Sequence, residues 1–173
     1  MGHVYKSNYW RRMFKKAVLI LGGNKGDRNA LLTSAVQAVS ELGEVTAKSK
    51  VYETEAWGGV AKGPFLNQIV EISTSHSPLE VLAAIQQIEI DLGRQREEHW
   101  GDRTMDIDII YFGGLVIETS ELKIPHPYLA DRKFVLVPLT EILPGFAHPV
   151  SGKNSNQMLE ECEDKSKVKA VKE

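Results

Sequence analysis

The pattern of apolar and polar positions changes period along the chain, and each period predicts one type of element. The unbroken apolar run from Ala17 to Leu21 indicates a buried, central strand. Alternating or β-branched segments predict further strands over 44–52, 65–72 and the later part of 103–112. Apolar residues at helical spacing predict helices from about Arg28 to Leu42 and from Pro78 to Leu92, and a glycine follows each of them.

The order strand, helix, strand, strand, helix, strand predicts an α+β fold with a ferredoxin-like βαββαβ core. In that arrangement two helices pack on one face of an antiparallel sheet. The other face, with two long loops at 53–64 and 93–103, is left open for a ligand. We expect C-terminal additions: short strands at 115–117 and 122–124, an apolar stretch at 135–143 that Pro138 makes irregular if it is helical, and a short helix near 156–162. The last ten residues are expected to fray.

Length and composition favour a single domain. The chain has 173 residues, 42% of them hydrophobic, and a net charge of −2. These values suit one core over residues 17–162 and argue against nucleic-acid binding as the default. Residues 1–16 form a basic extension that carries no acid, and residues 163–173 form a polar tail. Two interpretations of the extension stay open: a nucleic-acid arm, or an unstructured lead before a translation start at Met13.

The single cysteine, Cys162, excludes a disulfide within the chain and fits a reducing compartment. No apolar run approaches the ~18 residues that a membrane-spanning helix requires. We therefore expect a cytoplasmic protein that does not enter a membrane, and we expect it to be a monomer.

The predicted strand near the middle of the chain carries two acids with one residue between them. Side chains alternate along a strand, so Asp106 and Asp108 share one face and Ile107 and Ile109 share the other. The backbones of the two acids lie roughly 6.6 Å apart, and their carboxylates can converge on one or two Mg²⁺ ions.

Three arginines precede these acids: Arg94, Arg96 and Arg103. Guanidinium groups bind phosphate oxygens in pairs, and acids for Mg²⁺ beside arginines for phosphate are typical of nucleotide phosphoryl transfer. The alternative is an ordinary salt-bridged rim. From the two acids alone, that alternative is favoured.

Other polar positions permit two interpretations each. The turn from Gly22 to Asp27 suits a phosphate loop, but a tight turn with Asp27 near the helix cap is favoured because no phosphate-binding motif matches. Trp57 is either a surface anchor or a cover for a flat ligand. Asn67, among apolar neighbours, must find a partner in the backbone or in a ligand. Gln86 and Glu89 lie at the edge of their helix's apolar stripe, either in solvent or bordering a cleft.

These segments, taken together, resemble one family. Arg103-Thr104-Met105-Asp106-Ile107-Asp108-Ile109 resembles the R-T-x-D-x-D-I signature of the 6-hydroxymethyl-7,8-dihydropterin pyrophosphokinases. The glycine turn resembles that family's G-S-N-x-G-D, with Gly23 where serine is usual. The resemblance covers about residues 17–150 and includes 52–55, 65–67, 86–89, 93–94 and 125–134 in register.

The resemblance implies an enzyme of folate biosynthesis that transfers pyrophosphate from ATP, its co-substrate, to the hydroxymethyl group of the pterin and releases AMP, with loop closure over the substrates. It implies that Asp106 and Asp108 hold two Mg²⁺ ions and that these acids, Arg94 and Arg103 are catalytic. The implied ATP-binding residues are Gln86, Glu89, Arg94, Arg96, Arg103, His126 and Arg132. The implied pterin-binding residues are Thr54, Trp57, Phe65, Asn67, Trp100, Asp106 and Phe134.

The chain departs from the family pattern at a few positions. Pro127 stands where tyrosine is common, and Glu55 and Ala56 stand where proline is frequent. None of these positions supplies a metal ligand or a phosphate-binding arginine. Two other functional classes remain as alternatives: a catalytically silent module that binds nucleotide or pterin, and a structural interaction domain whose charged loops are merely solvated.

Overall fold

The computed structural model describes residues 13–55, 62–94 and 101–172. The main sheet contains β1 (Lys15–Gly23), β2 (Glu44–Lys48), β3 (Tyr52–Thr54), β4 (Phe65–Thr74), β5 (Asp106–Phe112) and β8 (Val168–Ala170). A separate two-stranded ribbon consists of β6 (Ile117–Glu118) and β7 (Lys123–Ile124). The α-helices are α1 (Arg28–Ser40), α2 (Pro78–Asp91), α3 (Lys133–Ile142) and α4 (Ser155–Glu161).

The main sheet is antiparallel at every pairing in the described residues. Its strands follow the order β5-β1-β4-β3-β8, and β2 also pairs with β4. The apolar strand β1 lies between β4 and β5, as its sequence predicts. This sheet and its helices confirm the predicted α+β, ferredoxin-like fold class.

Local sequence signals set where the first two helices begin. The side chain of Asp27 accepts a hydrogen bond from the Ala30 amide at 3.1 Å, which caps α1. Ser77 and Glu80 form a capping box at the start of α2, with Pro78 at the first helical position. Buried residues of both helices pack with Leu19, Leu21 and their neighbours in one apolar cluster, so α1 and α2 cover one face of the sheet.

The opposite face is covered in part, which corrects the expectation of an open face. Val18, Ile20 and Ile69 pack there against Val135, Leu136 and Leu139 of α3, and Met158 of α4 joins the same cluster. The apolar stretch is helical, and α3 runs through Pro138, which has no backbone N–H to donate within the helix. Helical additions after the βαββαβ core therefore confine any ligand to the part of this face that they leave uncovered.

The predicted strand 44–52 is wrong in one respect, because it is divided into β2 and β3. Lys48 pairs with Val70 of β4, and Tyr52 pairs with Asn67. The segment between Lys48 and Tyr52 has one residue more than the segment of β4 between their two partners. The division falls at Ser49, which is 3% exposed and whose hydroxyl accepts a hydrogen bond from the Ile69 amide at 3.0 Å. The alternation of buried and exposed positions does not reveal such a bulge.

The C-terminal tail is also different from its prediction. Residues 168–170 do not fray but form β8, which pairs with β3 and becomes the edge of the sheet. The Val171 amide continues this pairing with a 2.8 Å bond to the Val51 carbonyl. At the other terminus, Lys15 and Lys16 belong to β1 and not to an unstructured extension, while residues 1–12 lie outside the described part of the chain. In the described ranges, none of the helices combines the length and apolarity that crossing a membrane requires.

Two buried tyrosines provide a test of this packing. The Tyr52 hydroxyl donates to Glu141 Oε2 at 2.7 Å and so joins β3 to α3, whereas the Tyr111 hydroxyl has no hydrogen-bond partner among the described residues. We expect Tyr52→Phe to lower the free energy of unfolding by about 0.5–1.5 kcal/mol, because it removes one net-favourable hydrogen bond. Tyr111→Phe removes only a buried, unpaired hydroxyl and should leave stability unchanged or raise it.

Urea denaturation of both variants beside the wild type measures the difference directly. Equal destabilisation by the two substitutions would contradict the assigned role of Tyr52 at the junction of β3 and α3.

Candidate active site

A pocket of about 410 Å³ opens on the sheet face that α3 partly covers. Most residues predicted for the site line it: Thr54, Phe65, Asn67, Arg94, Arg103, Asp106, Asp108, His126, Arg132 and Phe134. Further lining residues were not predicted as site residues: Ile20, Gly22, Glu55, Pro127 and Tyr128. Segments far apart in sequence therefore meet at one place, where β1, β3, β4 and β5 contribute neighbouring strand ends.

Asp106 is held between two arginines at the wall of this pocket. Its Oδ1 accepts from Arg94 Nη1 at 2.8 Å, and its Oδ2 accepts from Arg103 Nη1 at 2.9 Å. Charge-assisted bonds of this kind are among the stronger hydrogen bonds in proteins. The sequence permits either a salt-bridged rim or a binding site at these residues. The structure combines the two, because the ion pairs line a cavity.

Asp108 lies on the same strand face as Asp106, and the charges of Arg132 and Arg103 lie near enough to act on it. Its side chain is 37% exposed, at the pocket surface, and its Oδ2 lies 3.8 Å from His126 Nε2, beyond hydrogen-bonding distance. Desolvation by the surrounding protein, followed by the charge of Asp106, raises the pKa of Asp108 to about 7. A cation near both carboxylates would favour the ionised form.

His126 is in its neutral form at neutral pH. Burial is the main cause that lowers the pKa of its imidazole to about 4. Its Nδ1 accepts a hydrogen bond from the Tyr128 amide at 3.1 Å, so the ring proton resides on Nε2, the nitrogen nearer Asp108. The side chain is therefore oriented as a donor toward the pocket.

Glu89 stands behind this cluster and not in the pocket lining. It is 7% exposed, its Oε1 accepts from the Ile107 amide at 2.7 Å, and its Oε2 lies 2.6 Å from Arg94 Nη1. Burial raises the pKa of this carboxyl group. Glu89 thus fixes Arg94 against β5. Gln86, one turn earlier in α2, is exposed and does not line the pocket, so the structure does not bring it to the other predicted residues.

On the far side of the pocket, Asn67 is 4% exposed and donates from Nδ2 to the Thr54 hydroxyl at 2.7 Å. The predicted partner was the backbone or a ligand, and in the structure it is a neighbouring side chain. A Cβ atom on Gly22 would lie only 2.1 Å from Asn67 Oδ1. Glycine at this position therefore allows the Asn67 amide to lie across β1.

Two phenylalanines face the cavity, each beside an arginine. Arg103 Cζ lies 5.9 Å from the centre of the Phe65 ring, and Arg132 Cζ lies 5.7 Å from that of Phe134. The pocket thus combines aromatic rings with guanidinium groups, which suits a flat and partly anionic ligand. Trp57, Arg96 and Trp100, also predicted for the site, lie outside the described residues.

The glycine turn after β1 binds the ends of both long loops through Asn24. Asn24 Nδ2 donates to the Gly63 carbonyl at 3.1 Å and to Asp102 Oδ1 at 2.7 Å, while its Oδ1 accepts from the Arg103 amide at 2.9 Å. Asp102 Oδ1 also accepts from the Lys62 amide at 2.8 Å. The turn is thus the tight, capped turn that was favoured, with an additional role that spacing alone did not reveal.

Gly23 is packed as closely as Gly22, against a different partner. A Cβ atom there would lie 2.2 Å from the carbonyl oxygen of Thr104. The chain therefore requires glycine at the one position of this turn where the family pattern has serine. The absence of a side chain brings the turn directly against the backbone that leads into β5.

Comparison with known proteins identifies the family of this chain. Residues 18–144 match the family described as 7,8-dihydro-6-hydroxymethylpterin-pyrophosphokinase (HPPK). The chain belongs to the HPPK family. The 2-amino-4-hydroxy-6-hydroxymethyldihydropteridine pyrophosphokinase of Bacillus subtilis is 47% identical over 128 residues, which cover 73% of this chain and 77% of the relative. The Aquifex aeolicus protein of the same name is 42% identical over 130 residues, covering 75% and 81%.

Two larger proteins contain an HPPK-like region. The folic acid synthesis protein FOL1 of Dictyostelium discoideum is 36% identical over 140 residues, which cover 81% of this chain but 21% of that protein. Wild-type HPPK-DHPS from Plasmodium falciparum has a similar fold, with a TM-score of 0.69 and 17% identity over 86% of this chain and 44% of the larger one. This chain spans less than half of these two proteins.

The role of Asn24 generates a prediction. Asn24→Ala removes two donors and one acceptor that join the glycine turn to residues 63, 102 and 103. We expect it to lower the free energy of unfolding by about 1–3 kcal/mol, since partly buried backbone groups lose their partners. Amide hydrogen exchange should accelerate at Arg103.

Asn154→Ala is the matched control, because it removes a capping asparagine at the start of α4. Exchange at Arg103 should stay at its wild-type rate in this control. An unchanged rate in Asn24→Ala as well would show that Asn24 does not hold the second loop.

Proposed function

We propose that this chain transfers the pyrophosphoryl group of ATP to the hydroxymethyl oxygen of 6-hydroxymethyl-7,8-dihydropterin in folate biosynthesis. The acceptor oxygen forms a bond to the β-phosphorus, the bond from that phosphorus to the α–β bridging oxygen breaks, the hydroxyl proton is released, and AMP leaves. The observation that carries the proposal is a single pocket with two different walls. The arginine-bound wall, on β5, carries Asp106 and Asp108 beside the arginines that bind Asp106. The amide and aromatic wall, on β3 and β4, carries the Asn67 amide and the Phe65 ring.

The amide and aromatic wall suits the pterin. A pterin is a flat ring with a donor and acceptor edge, and such a ring requires aromatic faces and a buried amide. Asn67 is buried and fixed by Thr54, so its amide is oriented before any ligand arrives. In this proposal Asn67 binds the polar edge, Phe65 and Phe134 lie on the faces of the ring, and Thr54 lines its end of the cavity.

The arginine-bound wall suits the triphosphate. Arg94, Arg103 and Arg132 line the pocket together with His126, whose Nε2–H is a neutral donor. Phosphoryl transfer depends mainly on charge neutralisation and alignment, which such donors supply. Without substrate, Arg94 and Arg103 neutralise Asp106. We infer that both arginines exchange part of this pairing for phosphate oxygens when ATP binds.

The two acids fit Mg²⁺. They supply hard carboxylate oxygens on one strand face. Burial and the charge of Asp106 raise the pKa of Asp108 to about 7, and a bound cation would favour the ionised carboxylate. The described residues contain no group of three or more His, Cys, Asp or Glu side chains that could hold a metal ion, so phosphate oxygens and water would complete the coordination. When bound, Mg²⁺ neutralises the phosphates and lowers the pKa of a coordinated hydroxyl group. We propose that Asp106 and Asp108 hold two such ions.

The remaining residue assignments stay predictions. Trp57, Arg96 and Trp100 are proposed to reach the substrates from the two long loops, which would close and exclude water as a competing acceptor. Gln86 is proposed as a nucleotide contact from the exposed face of α2, and Glu89 as the residue that holds Arg94. A monomer in the cytoplasm, without nucleic-acid partners, is likewise a prediction.

Substitution of the acids tests the site. Asp106→Ala and Asp108→Ala should each lower turnover by several powers of ten, because each removes a carboxylate that is proposed to hold Mg²⁺ beside the phosphates. The fold should be retained, since each side chain is partly exposed in the pocket. Steady-state AMP release, with circular dichroism to verify folding, provides the measurement.

Asp91→Ala is the matched control. Asp91 is exposed at the end of α2, and it accepts a hydrogen bond from Gln87 of the same helix. Turnover of this variant should equal that of the wild type. Near-wild-type turnover in both Asp106→Ala and Asp108→Ala would refute the metal assignment.

A further inference from the structure

Asp164 lies in the C-terminal segment, outside the residues 18–144 that match the family. It nevertheless contacts an element of the pocket. Its Oδ2 accepts a hydrogen bond from the Lys133 amide at 3.0 Å, and its Oδ1 accepts from the Ser166 amide at 2.9 Å. One carboxylate thus joins the start of α3 to the strand-forming end of the chain.

The first bond supplies α3 with a cap that the helix otherwise lacks. Arg132 occupies the N-cap position and makes no side-chain capping bond. Amides in the first turn of a helix have no partner within the helix, and an acidic side chain there is favoured by the helix dipole. Burial alone would raise the pKa of Asp164, but the amides of Ser166 and Lys133 lower it below its usual value.

The capped residue lies between two residues of the active site. Arg132 and Phe134, on either side of Lys133, both line the pocket. The position of the Lys133 backbone determines the positions of the adjacent Cα atoms, from which the Arg132 and Phe134 side chains extend. The helix α3 is also bound near its other end, where Glu141 accepts from the Tyr52 hydroxyl and from the Lys50 amide, so hydrogen bonds hold it at both ends.

The same segment supports the opposite wall of the pocket. Four residues after Asp164, Val168 pairs with Thr54 as β8 adds to β3. Thr54 lines the pocket and fixes Asn67. The chain from α4 to β8 therefore contacts both the wall that carries Thr54 and the helix start that carries Arg132 and Phe134.

We propose that Asp164 is a positioning residue for substrate binding, because its carboxylate holds the start of α3 so that Arg132 and Phe134 face Thr54 and Asn67 across the pocket. This inference rests on the proposed function. Asp164 itself touches no substrate and acts through the backbone of Lys133.

The test compares Asp164→Ala with Ser77→Ala, a variant that loses the cap of a different helix. Asp164→Ala should lower kcat/KM by about tenfold to a hundredfold, since small displacements of substrate-binding groups have effects of that order. Ser77→Ala also removes a helix cap, but Ser77 lies ~18 Å along α2 from Glu89, the residue of that helix that holds Arg94. This variant should leave kcat/KM within about twofold of wild type. Amide exchange should accelerate at residues 133–136 in the first variant only.

Asp164→Asn keeps one acceptor oxygen where the carboxylate uses two. Its kcat/KM should therefore fall by about threefold, less than in Asp164→Ala, in line with the modest value of one hydrogen bond. This variant also provides the comparison with Ser77→Ala if Asp164→Ala does not fold.

The outcomes separate the two claims. An active wild type in which the Asp164 variants lose no more kcat/KM than Ser77→Ala overturns the positioning role alone. Unchanged exchange at residues 133–136 in Asp164→Ala overturns it as well. A wild-type protein that releases no AMP in the presence of the pterin overturns the proposed function and this inference together.

Discussion

The pairing of Asp106 with Arg94 and Arg103 is the interaction on which the arrangement of the site depends. Two acids on one face of a strand that is buried on its other face would repel each other and be costly to desolvate without nearby positive charge. Both arginines are fixed in turn: Arg94 by the buried Glu89, and Arg103 by its Nε bond to the Gly101 carbonyl. The result is a set of charges held in place before any substrate binds, which is the condition for stabilising a highly anionic reaction.

The frame around these charges consists of close backbone contacts at one end of the sheet. Gly22 and Gly23 permit two different elements, the Asn67 side chain and the Thr104 backbone, to approach β1 on either side. Asn24 then binds the ends of both long loops. On the opposite wall, α3 is held at its start by Asp164 and at its end through Glu141. Asn24, Asp164 and Glu141, which do not line the pocket, therefore help to fix its walls.

The sequence was sufficient to predict the fold class and the faces of β5, because both follow from local periodicity. Ile107 and Ile109 enter the core beneath α1 and α2 while Asp106 and Asp108 face the pocket. Periodicity predicted the short helix that forms α4, but not the bulge at Ser49, the packing of α3 and α4 on the second face of the sheet, or the strand β8, since each depends on contacts distant in sequence. The hydrogen bonds of Asn24 and Asp164 were missed for the same reason. A glycine-rich turn that contains asparagine was the signal available for the first. Asp164 lies in a polar segment rich in lysine and glutamate, where nothing marks it from its neighbours.

AMP production from ATP, with Mg²⁺ and reduced 6-hydroxymethylpterin, tests the central claim most directly when a reaction without the pterin is run beside it. A pocket that joins a pterin wall to a triphosphate wall predicts AMP that appears only when the pterin is present, in amounts equal to the pyrophosphorylated pterin. Release of ADP, or AMP independent of the pterin, would mean that these residues perform a different phosphoryl transfer or a hydrolysis. Folded protein that turns over no nucleotide would contradict the account and leave a binding module in its place.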